Sequence, residues 1–131
     1  MVVSDPIADF LIRIKNAAMV GKSEVRVPYS KIKHTLADLL VERGYLESAE
    51  KVGKKAKKEL VVTVKYTNGT PSFEEIKRIS KPSRRIYIKS KDIFPVKYGK
   101  GTLVISTSKG IMTGEKAKEE NLGGEALFEI Y

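Results

Sequence analysis

Residues 60–69 read Leu-Val-Val-Thr-Val-Lys-Tyr-Thr-Asn-Gly, and this stretch decides how the chain is organised. Its β-branched residues predict a strand, and the Asn-Gly pair that follows is typical of a tight turn. The charge and turn content around Asn68-Gly69 make it the predicted subdomain boundary. Residues 1–67 are therefore predicted as an N-terminal α+β subdomain, and residues 68–131 as a C-terminal subdomain.

Upstream of this strand, the sequence predicts helix, strand, helix and strand in that order. Asp5 can cap the first helix by accepting from free backbone N–H groups, and residues 24–27 alternate as a half-buried strand. Ser30 is the predicted cap of the second helix, which ends at Gly44, and the next strand begins at Tyr45. The apolar stripe of that second helix consists of Ile32, Leu36, Leu39 and Leu40. The first half is therefore predicted as αβαββ.

Downstream of the boundary, the pattern is mostly β. Residues 75–80 are compatible with either strand or helix, residues 81–83 indicate a turn, and Thr113 is placed to cap a short helix. Strands are predicted at 85–89, 102–106 and 126–130. In the first of these, Ile86 and Ile88 are predicted to face the core. Together, the two halves place the chain in the α+β class, with a mostly β C-terminal subdomain.

The positive charge of the chain is concentrated in its middle part. The whole chain has 25 Lys and Arg against 16 Asp and Glu, a net charge of +9 at pH 7. Residues 51–100 alone carry 15 basic and 4 acidic side chains, net +11, while both ends are nearly balanced. A localised excess of this kind is typical of a docking surface for a polyanion. A general role in solubility is the alternative interpretation.

Several kinds of chemistry are disfavoured by the composition. There is no Cys, so disulfides and thiolate metal sites are excluded, and the single histidine, His34, has no second histidine with which to bind a metal. Residues 99–102 look like part of a phosphate loop, but Phe94 stands where that motif needs its first glycine. We therefore expect no enzyme activity, no cofactor, no metal and no small-molecule substrate. Because neither a signal peptide nor a membrane span is recognisable, we expect a cytoplasmic protein with no membrane partner.

Two basic segments are candidates for contact with a polyanion. Lysines crowd residues 51–58, where Lys54 and Lys55 are candidate phosphate ligands at the tip of a predicted hairpin. A merely solvated tip that discourages strand pairing is an equally open interpretation. Residues 77–87 interleave cations with a hydroxyl and an aromatic ring, which favours RNA, because arginine forks match phosphate oxygens and tyrosine offers a stacking face. The candidates in this second segment are Arg84, Arg85 and Tyr87.

The stretch Ser106-Thr107-Ser108-Lys109-Gly110 is the most informative one for function. Three consecutive hydroxyls after an apolar strand are costly to bury without partners. Short hydroxyls suit sugars, phosphates and base edges in a shallow RNA groove. A turn whose hydroxyls bond their own backbone is the alternative. Residue chemistry alone leaves the two interpretations open.

Four blocks of the sequence resemble one known family. They are Asp5-Pro6-Ile7-Ala8-Asp9 with Arg13-Ile14-Lys15-Asn16-Ala17, the stretch from Val27 to Tyr45, the stretch from Arg78 to Tyr87, and Ser106 to Thr113 with Gly123-Gly124-Glu125. The blocks follow one another in order across almost the whole chain. The combination of Ser-Thr-Ser-Lys-Gly with Gly-Gly-Glu is highly specific. By these motifs the chain resembles bacterial small-subunit ribosomal protein eight.

The resemblance implies a protein of two subdomains that binds directly to the central domain of small-subunit ribosomal RNA and helps to assemble the subunit. It implies that the Ser-Thr-Ser turn and the Gly-Gly-Glu stretch contact the minor groove of an irregular RNA helix, which adds Gly124 and Glu125 to the candidates. It also implies an N-terminal subdomain that contacts phosphates, with Ser30 and Lys31 as candidates, and that faces neighbouring ribosomal proteins as a monomer within the subunit. A translational repressor that binds a messenger RNA hairpin mimicking the ribosomal site is the alternative.

Physical roles can be predicted for the Gly-Gly-Glu stretch. Gly123 and Gly124 lack side chains, so their backbone can approach the RNA closely. The position of Glu125 at a predicted RNA contact needs an explanation, because RNA phosphates repel a carboxylate. It is predicted either to accept from base amino groups or sugar hydroxyls, or to pair with Lys109 and orient its ammonium group.

Overall fold

A computed structural model describes residues 5–54 and 56–131, with the backbone alone at Tyr98. The candidate phosphate ligand Lys55 therefore lies outside the described residues. The described chain forms two compact units, one made of Pro6–Phe73 and one made of Glu74–Tyr131 with Asp5. Asn68-Gly69 is the two-residue turn of a short hairpin inside the first unit, and both of its residues have positive φ.

The first unit contains two helices and an antiparallel sheet. In chain order its elements are α1 (Pro6–Met19), β1 (Glu24–Pro28), α2 (Lys31–Glu42), β2 (Leu46–Val52), β3 (Glu59–Val64), β4 (Tyr66–Thr67) and β5 (Thr70–Pro71). The main sheet has the strand order β1-β3-β2, so the β-branched segment is its central strand. The predicted αβαββ order is confirmed. Gly44, after α2, has the left-handed φ of 86° expected of a helix stop.

The core of the first unit forms where the apolar stripes of α1 and α2 pack on the sheet. Phe10 and Ile14 of α1 and Leu36 and Leu40 of α2 are almost completely buried. The prediction that Ile32 belongs to the core-facing apolar stripe of α2 is wrong. This residue lies in the first turn of α2, before the buried part of the stripe begins at Leu36, and it is 41% exposed.

The start of α2 depends on backbone rather than side-chain capping. Ser30 occupies the predicted N-cap position with extended backbone, but its hydroxyl makes no capping hydrogen bond. Its carbonyl accepts from His34 N at 3.0 Å, and Thr35 Oγ1 donates to Lys31 O at 2.9 Å. The prediction of Ser30 as the N-cap residue is therefore confirmed in position, but the predicted side-chain cap is wrong. The Ser30 hydroxyl makes no hydrogen bond to the N–H groups at the start of α2.

The second unit is a sheet with one short helix. In chain order its elements are β6 (Ile76–Arg78), β7 (Tyr87–Ile88), two 3₁₀ turns (Ser90–Asp92 and Val96–Gly99), β8 (Thr102–Thr107), β9 (Gly110–Thr113), α3 (Gly114–Glu119) and β10 (Gly124–Ile130). The antiparallel strands have the order β6-β10-β8-β9, and β7 pairs with the start of β10. The ambiguous segment at 75–80 thus contains a strand. The α+β class with a mostly β C-terminal part is confirmed.

Two strands of the second unit differ from the sequence prediction. The strand predicted at 85–89 is only two residues long, because the Ile86 N–H donates to the Ser80 hydroxyl at 3.1 Å instead of extending the ladder. The sequence pattern does not predict β9, because Met112 is the one buried residue in this strand. The predicted cap of α3 is confirmed: Thr113 Oγ1 accepts from Lys116 N at 3.2 Å.

The final strand, β10, is the centre of the second sheet and carries a bulge. Its pairing with β8 shifts register between Ala126 and Phe128. The residue between them, Leu127, is therefore buried together with both neighbours, and the predicted strict alternation is interrupted. The start of β10 lies between β7 and the end of β8.

Candidate nucleic-acid interface

Three segments that are distant in sequence meet at the start of β10. Gly124 and Glu125 lie opposite Thr107 and Ser106 of β8 on one side, and opposite β7 on the other. The sheet therefore brings the hydroxyl triplet, the Gly-Gly-Glu stretch and the Arg-Tyr segment together. This neighbourhood lies entirely within the second unit.

The three hydroxyls of the triplet have different roles. Thr107 Oγ1 donates to Gly110 O at 2.8 Å and accepts from Lys109 N at 3.1 Å, so it stabilises the β8–β9 turn. The alternative of a backbone-bonded turn is therefore correct for this residue. Within the described part of the chain, the hydroxyls of half-buried Ser106 and exposed Ser108 form no hydrogen bond. Both are free to donate and to accept at a turn that Thr107 holds in place.

Glu125 is paired inside the protein. Its Oε2 atom accepts from Ser80 Oγ at 2.5 Å and from Arg85 Nη1 at 3.0 Å. Ser80 is fully buried and also accepts from Ile86 N, so the carboxylate is tied to the segment that precedes β7. Of the predicted roles, ion pairing is observed, but with Arg85 in place of Lys109, because strand pairing puts β7 beside Glu125.

The pKa of Glu125 lies below its ordinary value of 4.5. Burial of the carboxylate acts in the opposite direction and raises the pKa. The hydrogen bonds from Ser80 and Arg85, together with the positive charges of Arg85 and Arg78, outweigh burial and lower it. Glu125 is therefore ionised at neutral pH and is an internal counter-ion, largely balanced before any RNA phosphate approaches.

The segment around β7 exposes its polar side. Tyr87 is 71% exposed, and Arg84 and Arg85 also lie at the surface. Ile88 is half-buried against the core of the second unit, and Ile86 is half-buried as well. The prediction that both isoleucines belong to the core is therefore wrong: neither is fully buried, and of the two only Ile88 packs against the core cluster. Among residues 5–54 and 56–131, the side chains of Arg84 and Tyr87 find no hydrogen-bond partner.

Gly123 and Gly124 are required by the protein's own backbone. A Cβ atom at Gly124 would overlap Ser106 O, and one at Gly123 would lie 2.7 Å from Ile88 O. Any side chain at these positions would push β10 away from β8 or β7. Close approach of neighbouring strands is therefore sufficient to explain both glycines, and close approach of the RNA at Gly124 stays a prediction.

The basic candidates of the first unit lie at the β2–β3 hairpin tip and at the start of α2. The exposed lysines of that tip, called the tip lysines below, are Lys54, Lys57 and Lys58. The carbonyl of Lys58 accepts from Tyr29 N at 3.1 Å, immediately before Ser30 and Lys31 in the chain. Lys31 is exposed as the first residue of α2. These candidates therefore lie near one another within the first unit.

The sequence does not predict the roles of two polar residues, half-buried Arg78 and buried Ser80, in organising the interface. Arg78 lies in the basic segment but is internal: Nη2 donates to Asp5 Oδ2 at 2.5 Å and Nη1 to Leu127 O at 3.2 Å. Ser80 is fully buried and bonds to Glu125. The two-residue spacing of Arg78 and Ser80 is an available signal, because side chains two apart in an extended segment share a side.

The histidine of the chain, His34, lies close to two other polar side chains of the first unit. It is half-buried, with Nδ1 3.3 Å from the Tyr29 hydroxyl and Nε2 3.6 Å from Asp38 Oδ1.

Across residues 5–54 and 56–131, no group of three or more His, Cys, Asp and Glu side chains is arranged to hold a metal ion. In the same part of the chain, no helix is both long and apolar enough to cross a membrane.

Both units fall within one known protein family, because the family model described as Ribosomal protein S8 matches residues 5–131. The chain belongs to the ribosomal protein S8 family. Among the proteins similar to this chain are three that carry the name Small ribosomal subunit protein uS8. The one from Ruthia magnifica subsp. Calyptogena magnifica is 47% identical over 131 residues, 100% of both chains. The one from Bordetella avium (strain 197N) is 46% identical over 127 residues, 97% of both chains, and the one from Dictyoglomus thermophilum is 43% identical over 131 residues, 100% of both.

Membership of the S8 family confirms the resemblance drawn from the four sequence blocks. Two of the blocks gain a structural meaning from the geometry above. The Ser-Thr-Ser-Lys-Gly block forms the β8–β9 turn, and the Gly-Gly-Glu block opens β10 directly beside it. The two blocks are therefore neighbouring parts of one sheet.

Proposed function

We propose that this S8-family chain is a structural protein of the small ribosomal subunit, which binds directly to the central domain of small-subunit ribosomal RNA and helps to assemble the subunit. Its place is the cytoplasmic ribosome, where it is a monomer within the subunit and has no catalytic role. The observation that supports the proposal best is that the hydroxyls of Ser106 and Ser108 have no hydrogen-bond partner in the described part of the chain and are presented at a turn that Thr107 stabilises.

The β8–β9 turn suits a shallow RNA groove because it is small and anchored. Val104 and Ile105, directly before the triplet, are completely buried, so little conformational entropy is lost when the turn binds. Serine hydroxyls are short and both donate and accept, so they can reach 2′-hydroxyls and base edges in a minor groove. Lys109, exposed in the same turn, adds a charge that any RNA phosphate can meet.

An aromatic ring and two arginines flank these hydroxyls. Tyr87 lies opposite Glu125 on the side of β10 away from Ser106, and its exposed ring can contact a base or a sugar. Arg84 is exposed and can form a fork with phosphate oxygens. Arg85 is already paired with Glu125, which holds its guanidinium close to the start of β10. Glu125 is therefore proposed as a positioning residue and not as a direct RNA contact.

The first unit is proposed to add attraction of low sequence specificity. The tip lysines and Lys31 are exposed, and long ammonium side chains attract the phosphates of any RNA. This contribution weakens as salt rises. The Ser30 hydroxyl, which does not cap α2, is available to a phosphate at the start of that helix.

Neighbouring ribosomal proteins are proposed to cover α1. Its exposed large apolar side chains are Ile12 and Met19, and Val20 follows directly; they are 54%, 76% and 71% exposed. A group of such side chains along one helix is typical of a protein contact. Met19→Glu should leave the affinity for RNA unchanged and reduce incorporation of the protein into small subunits.

The direct test is affinity for a transcript of the central domain of the small-subunit ribosomal RNA from the same organism, with a regular RNA duplex as the reference. The variant Ser106→Ala/Ser108→Ala should bind the transcript more weakly by roughly 1–3 kcal/mol for each hydroxyl whose RNA partner is left unpaired. Its affinity for the duplex should be unchanged. Ser23→Ala, which alters an exposed serine of the first unit, is the matched control. Equal losses on both RNAs, or no loss on either, would contradict the proposal.

A further inference from the structure

Phe94 is an aromatic residue at the surface, held between two buried neighbours. It is 49% exposed, whereas Ile93 and Val96 are each 5% exposed and belong to the core of the second unit. Lys118 Nζ also donates to Ile93 O at 3.1 Å. Pro95 restricts the Phe94 backbone to extended conformations. The ring is therefore presented from an anchored segment.

The residues around Phe94 carry a strong positive charge. Between residues 89 and 100 there are four lysines and one acidic residue, all at the surface: Lys89, Lys91, Lys97, Lys100 and Asp92. Lys97 Nζ lies 4.5 Å from the centre of the Tyr131 ring, and the other three lysines share the exposed segment with Phe94. An aromatic ring in a lysine-rich segment matches the chemistry of an unpaired nucleotide, because the ring stacks on the base while ammonium groups neutralise nearby phosphates. An apolar protein pocket would accept the ring but would gain nothing from the lysines.

The Phe94 segment continues directly from the candidate RNA interface. It follows Ile88 of β7, and Ser90 Oγ donates to Asn121 Oδ1 at 2.9 Å in the loop before β10. Gly123 in that loop approaches Ile88 O so closely that a side chain there would clash. The base of the segment is thus packed against the Gly-Gly-Glu stretch within the second unit.

We infer that Phe94 is a further RNA-binding residue that stacks on an unpaired or helix-terminal base of the same RNA that the β8–β9 turn binds. The inference rests on the proposed function, since both contacts need the same RNA. Phe94 recognises the flat face of a base, whereas Ser106 and Ser108 recognise hydroxyls and base edges. The two contacts are therefore separable by mutation.

The first experiment measures the affinity of Phe94 variants for the central-domain transcript. Phe94→Ala should weaken binding about tenfold, as expected when one base–aromatic stack is removed. Phe94→Leu should be nearly as weak, because it keeps apolar bulk without an aromatic face, and Phe94→Tyr should stay close to the original affinity. Thermal denaturation checks that each variant folds, and the regular duplex should show no difference among them.

A second experiment places a fluorescent reporter at the same position. The chain contains no Trp, so Phe94→Trp creates a protein with a single tryptophan. Stacking on a base should quench its fluorescence when the central-domain transcript is bound at saturation. Ile12→Trp, at an exposed position on α1, is the control and should not be quenched.

The outcomes separate this inference from the proposed function. Unchanged affinity of Phe94→Ala with an unquenched Phe94→Trp overturns the inference, while weaker binding of Ser106→Ala/Ser108→Ala still supports the proposed function. No binding of the transcript by the original protein overturns both. Unchanged RNA affinity of Phe94→Ala, with reduced incorporation into small subunits, assigns the ring to a neighbouring protein and also overturns the inference.

Discussion

Replacing Glu125 with Gln tests whether this carboxylate is an internal counter-ion. Glu125→Gln keeps the size of the side chain but removes the charge that binds Arg85 Nη1 at 3.0 Å and the buried Ser80 hydroxyl at 2.5 Å. Hydrogen bonds to charged groups contribute about 1.5–3 kcal/mol, but half-exposed Arg85 is screened by solvent. We therefore expect the free energy of unfolding at neutral pH to fall by about 1–2 kcal/mol.

The effect of Glu125→Gln should depend on pH with a defined sign. The pKa of Glu125 is lower in the folded than in the unfolded chain, so its ionisation stabilises the fold above about pH 4.5, and this contribution is lost as the pH falls through the folded pKa. Urea denaturation of both proteins at several pH values should show a difference that is largest near neutral pH and shrinks on acidification. Glu129→Gln, on the same strand, is the control. A variant as stable as the original at neutral pH, or a difference independent of pH, would refute the reasoning.

Three further predictions concern the β8–β9 turn, the start of β10 and the tip lysines. Thr107→Val should lower the free energy of unfolding by about 1–2 kcal/mol because the turn is deprived of two hydrogen bonds, whereas Ser108→Ala should leave it unchanged in the same thermal denaturation assay. Gly124→Ala should destabilise the protein by about 1–3 kcal/mol because the added carbon overlaps Ser106 O, and unchanged urea denaturation would argue against that close pairing. Neutralising the tip lysines together should flatten the dependence of log affinity on log salt by somewhat under one unit for each RNA phosphate that is no longer neutralised, and an unaltered slope would assign them to a solvated tip.

The elements of the first unit could be predicted because their signals are local. Helical periodicity, the helix stop at Gly44 and the β-branched run at 60–64 lie within the segments they define. The error at Ile32 arises because periodicity gives the side of a helix but not how far along it the core extends. β9 is missed for a related reason: it is a short strand with one buried residue, and its pairing with β8 defines it.

The candidate site could be predicted in its residue types but not in its partners. The sequence shows three hydroxyls together. Only the turn geometry reveals that Thr107 bonds to Gly110 O, while the hydroxyls of Ser106 and Ser108 have no partner among residues 5–54 and 56–131. Likewise, the sequence leaves open whether Glu125 accepts hydrogen bonds from RNA or pairs with Lys109, and it does not predict Arg85 as the partner. Arg85 is 40 residues away in the chain and is brought beside it by strand pairing.

The measurement that tests the central claim most directly is crosslinking of the protein to RNA in cells, followed by sequencing of the bound RNA. If the protein binds the ribosomal RNA directly, the crosslinked fragments should concentrate in the central domain of the small-subunit ribosomal RNA and co-sediment with small subunits. They should decrease in the Ser106→Ala/Ser108→Ala variant but not in Ser23→Ala. Fragments spread evenly over cellular RNA, or confined to a messenger RNA hairpin with none from the small subunit, would contradict the claim.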